Sequence, residues 1–223
     1  DFGRMTEGRQ SAPIPETVQV VGKKERVFIE EGANIYPCTL NTENGPVYIG
    51  EKATIMEGAK VRGGLGLEAN SQLKMGAKIY GPVTAGPYTK LGGEVNHSIV
   101  QGYSNKGHDG FLGHAILGEW CNIGADSNNS NLKNNYKEVK IWNYAEGRRI
   151  NSGRQFLGLI MGDHSKCGIN TMFNTGTVVG VAANIFGSDF LPVFIPSYAW
   201  GGSDKLRTHR IEEAYQTAKR VMA

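Results

Sequence analysis

The chain has 223 residues, 31 of them glycine, roughly twice the usual share, with 39% hydrophobic and 20% charged residues. Collagen, which needs glycine at every third position, a disordered tail poor in branched apolar residues, and a helix-spanned membrane protein are all excluded. The net charge of +3 is too small and too evenly spread for nucleic acid, yet it suits small anionic ligands such as phosphates.

Residues 1–26 read as a linker or leader. They begin Asp-Phe-Gly-Arg-Met rather than with an initiator methionine, as a piece of a longer polypeptide would. From residue 27 a six-residue clock sets in, faint at Ile29, Ala33 and Ile35. It is strict at Ile49, Ile55, Val61, Leu67, Leu73, Ile79, Ala85 and Leu91, all apolar. The companion series Val47, Ala53, Ala59, Leu65, Ser71, Ala77, Val83 and Thr89 is mostly small. Six is neither the 3.6 of a helix nor the 2 of a flat strand. It fits a solenoid of short strands, each sending one large residue inward, with three strands to a triangular coil of about 18 residues. The expected fold is an all-β parallel β-helix over residues 27–202.

Between residues 94 and 110 the clock loosens and polar residues crowd in. It resumes at Leu112-Gly113, Leu117-Gly118 and Ile123-Gly124, then yields to a polar insertion over 125–158. Within the insertion, residues 138–142 and 148–150 flank an Ala-Glu-Gly turn, the pattern of a protruding hairpin. Insertions of this kind fall on one face of a solenoid, often the binding face. The clock returns at Met161, Cys167, Phe173, Val179 and Ile185, with Ser165, Thr171, Thr177 and Ala183 as small companions. The aromatic stretch 190–200 is expected to pack on the last coils. Over 203–223, Ile211, Ala214, Tyr215, Ala218, Val221 and Met222 recur three or four apart, an amphipathic helix expected to cover the open end of the last coil. Cys38, Cys121 and Cys167 form no Cys-x-x-Cys pair and are odd in number; with no secretory segment, reduced thiols in a cytoplasmic protein are the expectation.

Five histidines are candidates for chemistry. His209 and His164 are expected at the surface, while His97 and His114 are intermediate. His108 stands apart, between Gly107 and Gly110 where the repeat breaks. Glycine there lets a ligand approach the backbone, and an imidazole can take a proton at pH 7. The plain alternative is a turn histidine bonded to Asp109. His108 and His114, six apart, would project from equivalent positions of successive strands, and no third ligand stands near in sequence, so no metal is predicted. Six asparagines lie between positions 122 and 135. Asparagine suits sugar hydroxyls and a developing oxyanion, although most of these fit a plain polar loop. No Gly-x-Ser-x-Gly elbow, P-loop or Gly-x-Gly-x-x-Gly is present, which disfavours a serine hydrolase and a Rossmann site. Lys78 and Lys106 are basic residues suited to a small anionic ligand such as a phosphate.

The segment KGHDGFLGHAILGEWCNIGADSNNSN, residues 106–131, resembles the active-site stretch of glucosamine-1-phosphate N-acetyltransferase domains. These are hexapeptide transferases, the C-terminal half of the bifunctional UDP-N-acetylglucosamine pyrophosphorylase/acetyltransferases; the chain looks most like a divergent Bacteroidetes-type subgroup. The resemblance covers most of residues 27–187, with its specific core at 94–131. It implies left-handed coils, acetyl-CoA as co-substrate, and a homotrimer with sites between subunits. It places His108 on the catalytic base, Asn131 on the active-site asparagine, Phe111 on a substrate-contacting tyrosine, Asn122 on a substrate-binding asparagine and Ala125 on an acetyl-CoA contact. A substrate-binding lysine falls on Asn96, and a phosphate-binding arginine falls near Lys78 or Tyr80. Leu132 stands where the family has a tyrosine, so the departures bear on the acceptor more than on acyl transfer. The nucleotidyltransferase half has no signature in this chain. Two other readings stay open: a hexapeptide acyltransferase with another sugar acceptor, and a non-catalytic oligomerising or regulatory tail of a sugar-phosphate nucleotidyltransferase.

Overall fold

A computed structural model describes residues 2–223. Strands of mostly two or three residues stack coil upon coil into sheets of six, nine and ten strands, parallel except at the last strand of the ten, which form the three walls of a β-solenoid. The six-residue clock is its lumen. Ile49, Ile55, Leu67, Leu73, Leu91 and Leu117 are fully buried, as are the small companions Ala53, Ala59 and Ala77. Neighbouring rungs lie about 4.8 Å apart, so each inward side chain packs on the one a coil earlier. All three cysteines are free and buried in this core. Burial pushes the Cys38 thiol up to about 11 and that of Cys121 up to about 12.

Where the clock is strict, Leu65–Leu67 pairs with Val47–Ile49 on one side and Val83–Ala85 on the other, eighteen residues each way. Beyond, Thr84 stands opposite Ile99, fifteen residues on, and Ile99 opposite Ile116, seventeen on. The stretch 94–110 therefore never leaves the wall. Its coils are shorter because corners lose residues while the strands hold their rungs, and that is why the period appeared to fail.

The polar insertion starts later than its composition suggests. Asn128–Asn129 is still a strand, paired with Met172–Phe173. The chain then leaves the wall and rejoins it where Ile160–Met161 pairs with Ile116–Leu117, forty-four residues on. The excursion holds the expected hairpin, Lys140–Asn143 against Arg148–Asn151, antiparallel. Trp142 of the hairpin stacks on Phe194 at 4.0 Å, and Phe194–Ile195 itself adds a rung beside Val178–Val179. The aromatic stretch thus packs the hairpin onto the last coils.

Both ends depart from expectation. Gln19–Val21, inside the presumed leader, is already a rung paired with Thr39–Asn41. The C-terminal helix, Ile211–Met222, does not cover the open end. The final edge of the ten-stranded sheet is the strand Leu206–Thr208, which folds back antiparallel on Ala199–Gly201. The helix lies along the side, across a gap lined by His164, Lys166, Ala183, Trp200 and Ala214. His209 and His164 are consequently less exposed than their charged surroundings suggest. The His209 ring tilts against Trp200 at 4.6 Å and is buried; His164 is half-buried in line with Trp120.

One corner column runs Lys52, Asn70, Tyr88, Tyr103, Trp120, His164, Ala182 and Tyr198, every one with φ between 53° and 60°. The left-handed region costs an ordinary residue about 1–2 kcal/mol. Part of that is offset by ring stacking down the column, at 5.1 Å for Tyr88–Tyr103 and 4.2 Å for Tyr103–Trp120. No described helix is long and apolar enough to cross a membrane.

Because the lumen is close-packed, Leu67→Ala should cost about 3 kcal/mol in urea unfolding followed by circular dichroism. A cost below about 1 kcal/mol would mean that the walls collapse onto the gap.

Candidate functional site

The six-stranded wall carries the residues of interest. Its strands alternate faces. Val20, Leu40, Val61, Ile79, Val95 and Leu112 form the register column that packs into the core. On the outer face, Gln19, Thr39, Lys60, Lys78, Glu94 and Phe111 form one column, and Asn41, Arg62, Tyr80, Asn96 and Gly113 the other. A groove of about 620 Å³ lies over Gln19, Thr39, Asn41, Lys60, Arg62, Lys78, Tyr80 and Glu94. The Tyr80 hydroxyl donates to Glu94 Oε1 at 2.5 Å. Burial first, and then this carboxylate, raise the Tyr80 pKa, while the neighbouring Asn96 opposes them. Asn96 Oδ1 is buried and has no partner among the described residues, which leaves an acceptor facing no donor of its own chain.

At one edge of this wall the chain turns through a column spaced by the local coil length: His97, His114 and Asn131, seventeen apart. His97 and His114 have φ of 43° and 48° and stack at 4.7 Å, nearly parallel. A side chain at Gly81, one rung earlier, would collide with the His97 ring. Phe156, returning from the insertion, covers His114 from the other side at 5.2 Å. Asn131 Nδ2 lies 2.9 Å from His114 Nδ1. With the amide donating, Nδ1 is the acceptor and Nε2 carries the ring hydrogen. Burial, then the adjacent His97, lower the His114 pKa, so this imidazole is neutral at pH 7.

At the opposite edge His108 sits exposed in the turn between Asn105–Lys106 and Phe111–Gly113. Ala125 occupies the same corner one coil on, where Asp126 N–H donates to the Asp109 carbonyl at 3.0 Å. Phe111 lies between the two edges, next to Gly113, where a Cβ would strike both the Phe111 ring and Asn131. His108 and Asn131, the two expected catalytic residues, therefore stand on opposite sides of one strand and do not meet within the chain.

Several expected site residues have other neighbours. Lys106 is not a surface cation. It is 1% exposed, and its ammonium donates to the carbonyls of Gly92 at 3.1 Å, His108 at 2.5 Å and Asp109 at 3.3 Å. All three N–H bonds are spent inward and none is left for a phosphate. Burial pulls its pKa down to about 8, against the opposing pull of Asp109. Asn122 lies on the ten-stranded wall, where its Oδ1 accepts from Asn105 Nδ2 at 2.9 Å, away from the face of Phe111. Asn128 and Asn129 replace a missing backbone rung: Asn128 Oδ1 accepts from Phe111 N–H, and Asn129 both accepts from and donates to Gly113 at 2.9 Å. Those two asparagines form a strand rather than a plain polar loop, and their amides serve the backbone. Sequence reasoning missed the Asn131–His114 pair, the Tyr80–Glu94 pair and the cations Lys60 and Arg62. The seventeen-residue column 97–114–131 was the available signal. No three His, Cys, Asp or Glu among the described residues are grouped to hold a metal ion.

No family model matches the chain. In an alignment 152 residues long that covers 59% of this chain, it is 31% identical to a bifunctional sugar-1-phosphate nucleotidylyltransferase/acetyltransferase of Sulfurisphaera tokodaii, 37% of which is covered. Over 102 residues it is 36% identical to the bifunctional protein GlmU of Methanocaldococcus jannaschii, 42% of this chain and 24% of that protein. Among solved structures, the polySia-specific acetyltransferase NeuO aligns with 92% of this chain and 94% of its own, at a TM-score of 0.47 and 12% identity. The chain is thus similar to bifunctional nucleotidylyltransferase/acetyltransferases, in line with the resemblance read from the sequence, and the matched stretches span little more than a third of those proteins at most.

The lowered pKa of His114 has a measurable sign. As pH falls through the ordinary imidazole value of 6.5, the unfolded chain takes up a proton that the folded chain resists, so stability drops on acidification in that window. In NMR titration His114 should show a midpoint below 6.5 with Nδ1 unprotonated, and Asn131→Ala should move the midpoint upward. A wild-type midpoint at or above 6.5 would contradict the hydrogen-bonded, part-buried ring.

Proposed function

We propose that the chain is an acetyl-CoA-dependent N-acetyltransferase acting on an amino-sugar phosphate, glucosamine 1-phosphate in UDP-N-acetylglucosamine synthesis, in the cytoplasm. The observation that carries this reading is the shared corner of His108 and Ala125, at the edge of the face that holds Phe111 and Asn96. The kinship to proteins named for acetyl transfer supports it.

The chemistry follows from these groups. An amino sugar reaches the site largely as its ammonium, which has no lone pair for attack. His108, exposed in its turn, takes the proton as general base. The amine nitrogen then attacks the thioester carbonyl of acetyl-CoA held beside Ala125. The C–N bond forms, the carbonyl oxygen becomes an oxyanion, and collapse breaks the C–S bond; coenzyme A leaves as thiolate and takes up the proton that the acylated nitrogen loses. The Nε2–H of His114, its tautomer held by Asn131, is a donor for that oxyanion, a contribution of about 3 kcal/mol where such donors have been removed. Phe111 gives the sugar ring an apolar wall, and Asn96 stands on the same outer face. Lys78, exposed on the same face, is the phosphate contact. No covalent enzyme intermediate is required.

Because His108 and the His114–Asn131 pair lie on opposite edges of one strand, a complete site requires two copies, the His108 edge of one against the Asn131 edge of the next. A homotrimer provides three such sites.

His108→Ala should lower acetyl transfer to glucosamine 1-phosphate, followed as release of free thiol, by at least about 100-fold. The circular dichroism spectrum and the oligomeric state should not change. Undiminished turnover would remove His108 from the mechanism. If calorimetry detects no acetyl-CoA binding by the wild-type chain, the non-catalytic tail replaces the enzyme.

A further inference from the structure

Above the rung of Tyr80, the outer face of the six-stranded wall pools positive charge. Lys60 and Lys78 stand directly opposite each other on neighbouring strands, and Arg62 is two residues along from Lys60, opposite Tyr80. All three are exposed. Among the described residues none of them makes an ion pair. Like charges directly opposite on a sheet are unfavourable, and the one carboxylate in their column, Glu94, stands opposite Lys78 rather than beside Lys60 or Arg62. Among the described residues neither Glu94 nor Glu43 forms an ion pair with these cations. Glu94 accepts the Tyr80 hydroxyl, and Glu43, at the far end, accepts from Asn41 Nδ2 at 3.3 Å while its own N–H donates to Asn41 Oδ1. Beyond the cations the groove continues over neutral donors and acceptors, Thr39, Asn41 and Gln19.

The spacing of this charge does not suit a monophosphate alone. Counting from Phe111, the rung of Lys78 and Tyr80 is two strands away, about 10 Å, and that of Lys60 and Arg62 three strands away, about 14 Å. A hexosamine seated at Phe111 and Asn96 brings a phosphate on its anomeric oxygen to the Tyr80–Lys78 rung. The Lys60–Arg62 rung lies one step further, in line for a second phosphate. The neutral rungs after it match the hydroxyl and amide groups of a nucleoside. We propose that this groove binds the diphosphate and nucleoside of a nucleotide-linked amino sugar, which is therefore a better acetyl acceptor than the sugar monophosphate. This rests on the acetyltransferase reading and extends its acceptor. The reacting bonds are unchanged: the amine forms C–N, the thioester C–S breaks, and coenzyme A is released as thiol. Coenzyme A carries a nucleoside diphosphate of its own, and the experiment has to tell the two sources apart.

Uridine diphosphate is titrated into the wild-type chain and into the exposed-surface double variant Lys60→Ala/Arg62→Ala by calorimetry. In parallel, thiol release is measured with uridine-diphosphate-linked glucosamine and with glucosamine 1-phosphate as acceptors, each at varied acetyl-CoA. Binding of uridine diphosphate should weaken at least tenfold in the variant. The wild-type KM should be at least tenfold lower for the nucleotide-linked acceptor, and the variant should abolish that preference. Absence of uridine diphosphate binding, or an equal KM change for both acceptors, overturns the groove. A KM change confined to acetyl-CoA assigns the cations to the coenzyme and overturns the acceptor assignment. If uridine diphosphate binds through Lys60 and Arg62 but neither acceptor is turned over, the acetyltransferase reading fails while the anion groove stands.

Discussion

The lumen of this solenoid accepts one large and one small side chain per strand, and everything on its surface inherits that constraint. Leu67, Leu73 and Leu91 have no room to shift without opening a void, so successive coils are held in one register. Register turns positions distant in sequence into columns. Lys60 and Lys78 become neighbours, as do Tyr80 and Asn96, because the inward residues between them, Val61, Ile79 and Val95, lie on one another. The outer face of the six-stranded wall is therefore a rigid ruler with a mark about every 4.8 Å. Groups placed on it are held by strand pairing rather than by loops.

Corners are the other half of the design. A triangular coil must turn three times, and much of the turning is done by residues with positive φ, many of them not glycine. At His97 and His114 that conformation points two imidazoles outward in a stack, and the glycine at position 81 leaves the space for the first ring. Strained backbone supported by stacking recurs along the Tyr88–Tyr103–Trp120 corner, where the rings contribute packing alone. The histidine corner differs because Asn131 and Phe156 enter from the insertion and fix one ring's tautomer and cover. The insertion thus adds chemistry to a corner that the repeat had only shaped.

The walls were legible because inward residues keep a fixed six-residue period wherever coils have eighteen residues. The period misled between 94 and 110, where coils of fifteen to seventeen residues keep their rungs but shorten their corners. Phe111 and Asn96 were found through family resemblance, and they do share a face. The edge-to-edge separation of His108 and Asn131 was not legible, since strand width enters no motif. Asn128 and Asn129 read as possible ligands because composition cannot tell an amide that faces a sugar from one that stands in for a missing backbone rung. Lys106 read as a surface cation for a similar reason. A lysine two residues before the histidine gives no sign in sequence of whether its position faces out or in.

The interior placement of Lys106 has its own logic. The carbonyls of His108 and Asp109 belong to a turn that shortens the coil; that of Asp109 has a backbone donor in Asp126 N–H, that of His108 has none, and the Gly92 carbonyl opens on the same spot. Buried carbonyls without donors would each cost about 1–3 kcal/mol. A single ammonium brings three N–H groups to one point, which no neutral side chain does. The charge is expensive to bury, as its pKa of about 8 records, but at pH 7 the group remains largely protonated and all three bonds persist. The turn that presents His108 to solvent is thus tied from inside the lumen. An imidazole needed outside the coil is positioned by a cation that never leaves it.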